Sequence, residues 1–324
     1  MSYPITRPRR LRRTAAIRNL VAQTDLLPKH LIAPIFLKEA LKGLAPIKSM
    51  PGVFQYSLKE AITFAKELHK SGIKGVILFG IPNKKDALGS GAWASNGIVQ
   101  KAIKEIKAAV PELVVFADTC LCEYTDHGHC GVLDKRGNVR NDATLERLAK
   151  TAVSQAEAGA DSVAPSSMMD GHVGAIRAAL DAHNLTDTLI TSYAVKYASR
   201  LYGPFRDAAE NTPKSGDRRG YQMDPRNSSE AIHEAQLDQD EGADALIIKP
   251  ASLYLDIIRD VSEVTPLPLI AYQVSGEYSL IKAGAANGWI DEKGLVLESL
   301  TAMRRAGAQA IITYYALSAA RWLA

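Results

Sequence analysis

Four stretches share one pattern: Ser71-Gly72-Ile73 before Gly75-Val76-Ile77-Leu78-Phe79, Ala158-Gly159-Ala160 before Ser162-Val163-Ala164, Gly242-Ala243 before Ala245-Leu246-Ile247-Ile248, and Ala306-Gly307-Ala308 before Ala310-Ile311-Ile312. Each reads as a helix closed by glycine, which tolerates the left-handed conformation at a helix end, followed by a short buried strand. Four further apolar runs, His30–Leu37, Leu113–Asp118, Leu189–Ala194 and Leu267–Val274, bring the strands to eight. Between them lie segments of helical period such as Leu58–Lys70, Ala143–Ala158 and Ser228–Glu241. Alternating strands and helices imply a parallel sheet, and eight repeats imply closure into a (β/α)₈ TIM barrel. An open doubly wound sheet is the alternative, since periodicity cannot show closure. No glycine-rich phosphate loop follows the first strand, which counts against a dinucleotide-binding version.

Around this repeat the composition is that of an ordinary soluble domain. The 324 residues are 47% hydrophobic and 23% charged, with 23 glycines and 15 prolines, which excludes disordered, collagen-like and coiled-coil chains. No uncharged stretch reaches the ~20 apolar residues of a membrane span, and the opening residues lack the apolar core of a secretory signal. Three cysteines confined between Cys120 and Cys130 suggest a reducing, cytosolic setting and a local thiol site rather than a disulfide framework.

Charge divides the chain into an arm and a body. Arg7, Arg9, Arg10, Arg12, Arg13 and Arg18 precede the first acid, Asp25, and outweigh the formal net charge of +4, leaving the remainder slightly acidic. A nucleic-acid reader is expected to spread a basic face over its fold, so nucleic-acid binding is disfavoured. Residues 1–30 read instead as an arm for subunit contacts, with Leu11, Ile17, Leu20 and Val21 to bury; a transit peptide shares the same composition. Residues 31–324 form the barrel domain. Within it, residues 200–227 lack a convincing apolar period, contain Gly203-Pro204, Pro213 and Gly216-Asp217, and read as a lid.

In a barrel of this kind chemistry belongs at the C-terminal ends of the strands. There the sequence has Asp118 and Cys120, then Ser166, Tyr193 with Lys196, Lys249, Gln273 with Ser275, and finally Tyr314. Cys120-x-Cys122-x₇-Cys130, with His127 and His129 inside the span, supplies soft ligands suited to Zn²⁺. Three thiolates would leave a position open for water or substrate, as in a catalytic site; a histidine closing the site, or reduced thiols without metal, are the other readings. Lys249, at the end of an apolar strand, should have its amine neutralised by desolvation, and Lys196 facing it would add to the effect. On the lid, Arg206 and Arg218 can fork onto the carboxylates of an acidic substrate or pair with Asp207 and Asp217. Glu234 on its helix reads as an exposed face residue.

Together these motifs resemble the porphobilinogen synthase, or δ-aminolevulinate dehydratase, family. The resemblance runs from Arg-Pro-Arg-Arg-Leu-Arg-Arg near the start through Asp118-x-Cys-x-Cys…His127-Gly128-His129-Cys130-Gly131, Tyr202-Gly203-Pro204-Phe205-Arg206-Asp207, Gly216-Asp217-Arg218-Arg219, Lys249-Pro250 and Ala271-Tyr272-Gln273-Val274-Ser275-Gly276. It implies a homo-octameric barrel enzyme that joins two 5-aminolevulinate molecules into porphobilinogen with loss of two waters. It further implies Schiff bases on Lys249 and Lys196, and carboxylate recognition by Ser275 and Tyr314 for one substrate and by Arg206, Arg218 and Gln222 for the other. Asp118 and Ser166 would line the site, Cys120, Cys122 and Cys130 would hold a catalytic zinc, and Glu234 an allosteric Mg²⁺. Gly220 stands where some members carry an extra lid cysteine, so a second zinc is not implied.

Overall fold

The computed structural model describes residues 4–324. Its strands are β1 (Leu31–Lys38), β2 (Leu44–Pro46), β3 (Phe54–Tyr56), β4 (Gly75–Ile81), β5 (Val114–Thr119), β6 (Ser162–Pro165), β7 (Leu189–Lys196), β8 (Ala245–Lys249), β9 (Leu269–Gln273) and β10 (Ala310–Thr313). β1 and β4 to β10 run parallel in chain order, and β10 returns to β1 with Leu31 opposite Ile311 and Ile32 opposite Ile312. That last pairing closes the barrel and excludes the open sheet. All eight expected runs are strands. β2 and β3 were not anticipated: β3 pairs with the end of β1, Phe36 opposite Gln55, and β2 lies antiparallel to β3.

The glycine elbows behave as the repeat requires. Gly72, Gly159, Gly242 and Gly307 have φ of +84°, +100°, +101° and +128°, a region in which a Cβ is strained. Between elbow and strand the chain reverses without a long loop. The helix Leu58–Lys70 illustrates the outer layer: the Ser57 hydroxyl accepts from the Glu60 N–H at its start, and Ala61, Ala65 and Leu68 face the barrel. Every residue of β4 is buried, as expected of a strand covered on both faces. At about 1.5–3 kcal/mol per buried aliphatic side chain, such strands supply much of the drive for closure.

Two regions lie outside this repeat. Of the arm expected over residues 1–30, the first three residues lie outside the described structure. The rest forms two 3₁₀ turns, Pro8–Arg12 and Pro28–His30, and a short helix, Ala15–Leu20, none with a buried residue; Leu11 and Leu20 are exposed. Residues 200–227, read as a lid without a convincing apolar period, contain a 3₁₀ turn, Arg200–Tyr202, and a helix, Gly203–Ala209, that buries Phe205, Ala208 and Ala209. Seven residues span about two turns, too few for a period to be visible in the sequence. No helix among the described residues is long and apolar enough to cross a membrane.

Candidate active site

Lys196 ends β7 and Lys249 ends β8, and the two are register partners. Near the start of the pair Thr191 and Ser192 face Ala245 and Leu246; beyond it Val195 and Lys196 face Ile248 and Lys249, so β7 carries one extra residue between Ser192 and Val195. In an unbroken register Val195 would oppose Lys249, and Lys196 would fall one position beyond, on the opposite face. The irregularity thus brings the two amines together. Their side chains flank one ring, with Nζ 5.5 Å (Lys196) and 5.2 Å (Lys249) from the Tyr193 centroid. Each lysine is only 5% exposed.

The two amines have different surroundings. Lys196 Nζ donates to the Ser166 carbonyl. Lys249 Nζ lies among rings: 4.2 Å from the Tyr272 centroid, 5.0 Å from Phe205 and 5.2 Å from Tyr202. Burial, followed by the charge of Lys196, lowers the Lys249 pKa to about 7, with Asp118, Cys122 and Glu123 opposing. Asp118 shifts the other way, its carboxyl raised by burial and by Glu123 while the two lysines hold it down.

At the end of β5 the three thiols come together as expected. Cys120, Cys122 and Cys130 are buried and unbridged, with sulfur atoms all within 4.8 Å of one another and Cys120 to Cys122 at 3.3 Å. Hydrogen bonds from Cys120 and Cys122 push the Cys130 thiol well down, whereas burial pushes Cys120 and Cys122 up. The histidines inside the span do not complete the cluster. His129 Nδ1 meets the Tyr221 hydroxyl at 3.2 Å and Nε2 the Ser215 carbonyl at 2.9 Å, while His127 Nδ1 accepts from the His129 N–H at 3.1 Å. A histidine-closed metal site is therefore not what the fold builds. Three buried sulfurs with no disulfide are a donor set suited to a soft divalent ion such as Zn²⁺.

Asp118, Ser166, Arg206 and Arg218 line one pocket with the two lysines and Cys122. The space left around these groups is only about 20 Å³, little more than one water, because the helix Gly203–Ala209 covers it. The other expected binding residues stand apart. Ser275 Oγ accepts from the Phe205 N–H at 2.9 Å and donates to the Leu201 carbonyl; Tyr314 meets the Tyr272 hydroxyl at 3.1 Å; Gln222 faces a separate polar cleft. Glu234 also faces that cleft and is half-buried rather than exposed, its pKa raised to about 7 by burial and by Asp238 and Asp170. Among the described residues no group of three close ligand atoms includes it.

Sequence reasoning gave no role to Glu123, Asn211, Tyr202, Phe205 or Tyr272. Glu123 is buried beside the thiols, accepting from Cys122 Sγ at 3.2 Å and from Asn211 Nδ2 at 3.0 Å. Its place directly after Cys122 was the available signal. The aromatic groups around Lys249 come from separate elements, so no local spacing revealed them.

A closed barrel with buried lysines and a thiol cluster gathered at the C-terminal strand ends has the layout of barrel enzymes that act on small molecules at that face. Residues 5–322 match the family "Delta-aminolevulinic acid dehydratase". A relative of that name from Bacillus subtilis is 58% identical over 324 residues, covering all of both chains, and one from Halalkalibacterium halodurans is 57% identical over 317 residues, covering 98% of this chain and 96% of its own. The crystal structure of delta-aminolevulinic acid dehydratase (porphobilinogen synthase) from Toxoplasma gondii, in complex with the reaction product porphobilinogen, superposes with a TM-score of 0.96 at 44% identity, covering 98% of this chain and 91% of that one. The chain belongs to the delta-aminolevulinic acid dehydratase family, a family of hydro-lyases.

Proposed function

We propose that this enzyme condenses two molecules of 5-aminolevulinate asymmetrically into porphobilinogen with loss of two waters, forming Schiff bases on Lys249 and Lys196. The observation that carries the reading is the register pairing of these lysines at the barrel mouth, beside three buried thiols. A neutral amine adds to a ketone carbon and expels its oxygen as water, leaving an imine, which withdraws electrons from the adjacent carbon better than the ketone does. The depressed pKa leaves much of the Lys249 amine neutral near neutrality, and two amines on one tyrosine ring hold two substrates within reach of each other.

Cys120, Cys122 and Cys130 fit Zn²⁺, which when bound would supply Lewis acidity toward a substrate oxygen. Arg206 and Arg218, positioned by residues 200–227 acting as a lid, receive a carboxylate, while Asp118 and Ser166 orient polar groups of the substrates. With the lid as described the pocket is too small for either substrate, so Ser275, Tyr314 and Gln222 would join in recognition after the lid moves. The exposed Leu11 and Leu20 beside the arginines support an arm that docks on other copies in a homo-octamer, and Glu234, half-buried near Asp170 and Asp238, would hold a Mg²⁺ that modulates it. The free thiols fit a reducing cytosol.

Borohydride reduction in the presence of 5-aminolevulinate tests this directly. Mass adducts on both Lys249 and Lys196 are expected. An adduct on Lys249 alone would indicate a single-imine aldolase, and no adduct on either would end the proposal.

A further inference from the structure

The segment that covers the lysines is also bonded along its length to the thiol loop. Lys214 N–H donates to the His127 carbonyl at 3.1 Å, the Ser215 carbonyl meets His129 Nε2, and Arg218 bridges the Gly128 and Asn211 carbonyls at 2.9 Å each. The two backbones are pressed together: a Cβ on Gly128 would lie 2.6 Å from the Thr212 carbonyl oxygen, so only glycine fits. At the centre, Asn211 is 1% exposed and its Nδ2 donates to Cys122 Sγ at 3.2 Å and to Glu123 Oε1 at 3.0 Å. Its Oδ1 is buried without a partner. An amide held this way, leaving its carbonyl oxygen unpaired, serves the sulfur and the carboxylate rather than its own segment.

We propose that Asn211 is a positioning residue that links the lid to the thiol cluster, so that metal occupancy at Cys120, Cys122 and Cys130 and ordering of residues 211–222 are one coupled equilibrium. The inference rests on the proposed metal reading of the three thiols. Groups bonded to metal ligands change metal affinity by roughly 10–100-fold when removed. Coupling of this kind is reciprocal: whatever metal contributes to lid order, the ordered lid contributes to metal retention. Arg218 reinforces it, because its guanidinium is carried by the lid and anchored on the carbonyl of Gly128 inside the thiol loop.

The test needs both metal affinity and lid protection in the full-length protein. Hydrogen exchange of amides 211–222 should slow by tenfold or more when metal-free wild type is loaded with Zn²⁺. In Asn211→Ala and the isosteric Asn211→Asp, zinc affinity measured by competition with a chromophoric chelator should fall about tenfold, and zinc-dependent protection should shrink. Zinc-independent exchange in wild type, or unchanged zinc affinity in both variants, overturns the coupling while leaving the metal site standing. Failure of wild type to bind zinc at the three thiols overturns the metal reading itself, and the coupling with it.

Discussion

Lys249 Nζ lies 4.2 Å from the centroid of the Tyr272 ring, the nearest of four aromatic faces around it. Ring faces favour a cation, yet the cage also keeps water out, and desolvation together with Lys196 prevails to bring the pKa to about 7. Trapping at Lys249 by borohydride and 5-aminolevulinate should therefore rise with pH through about 7, because only the neutral amine adds to a ketone. A midpoint near the ordinary lysine value of 10.5 would contradict it. The sign for stability follows: the cost of burying charged Lys249 is fully present below about pH 7 and fades as pH rises toward 10.5, so this group makes the fold more stable across that window.

Phe205 is the part of the cage that the covering helix contributes, packed 5.2 Å from Phe79 and 5.6 Å from Phe36 between ring centroids. Phe205→Ala should cost about 3 kcal/mol in urea unfolding, the lower end of the range for a buried phenylalanine. Water admitted beside Lys249 should also move the trapping midpoint upward. A variant of wild-type stability with an unshifted profile would mean that Phe205 does not shield the amine.

Atomic emission should find about one zinc per chain, and Cys122→Ser should reduce retained metal at least about tenfold. Because the thiols lie at the mouth of a barrel already closed by strand pairing, chelation should abolish product formation while leaving the far-ultraviolet circular dichroism largely unchanged. Collapse of the dichroism on chelation would make the metal structural.

Glu210 ends the covering helix at φ +52°, ion-paired with Lys38 and bonded to Gln55 Nε2 at 3.0 Å. Glu210→Gly would relieve a left-handed residue, worth roughly 1–2 kcal/mol. Against this stand a partly exposed ion pair of roughly 0.2–1 kcal/mol and a hydrogen bond of roughly 1 kcal/mol. The terms nearly cancel, so urea unfolding should register a change within about 1 kcal/mol. A loss above about 2 kcal/mol would show that the pairing with Lys38 and Gln55 holds the segment more firmly than its exposure suggests.

The strand pattern was legible because each elbow glycine is followed at once by its apolar run, as at Gly242 and Ala245–Ile248, so the signal is local. The cysteines were legible for the same reason: only nine residues lie between Cys120 and Cys130, and nothing distant is needed to see them together. The helix Gly203–Ala209 was not legible, since its burial depends on Phe36 and Phe79 from distant strands. Nor was the environment of Glu234: Asp238 lies four residues on along the same helix, but only the fold sets Asp170 near the pair.

Sequence alone determined the eight βα repeats, the lysines at two strand ends and the cluster of three cysteines, because glycine conformation, apolar periodicity and close spacing act over a few residues. Only tertiary structure decided that β10 meets β1, that one extra residue in β7 turns Lys196 toward Lys249, that the histidines are occupied elsewhere, and that Asn211 reaches the thiols. Register and side-chain partnership across elements are set by packing the whole barrel at once, and no single segment encodes them.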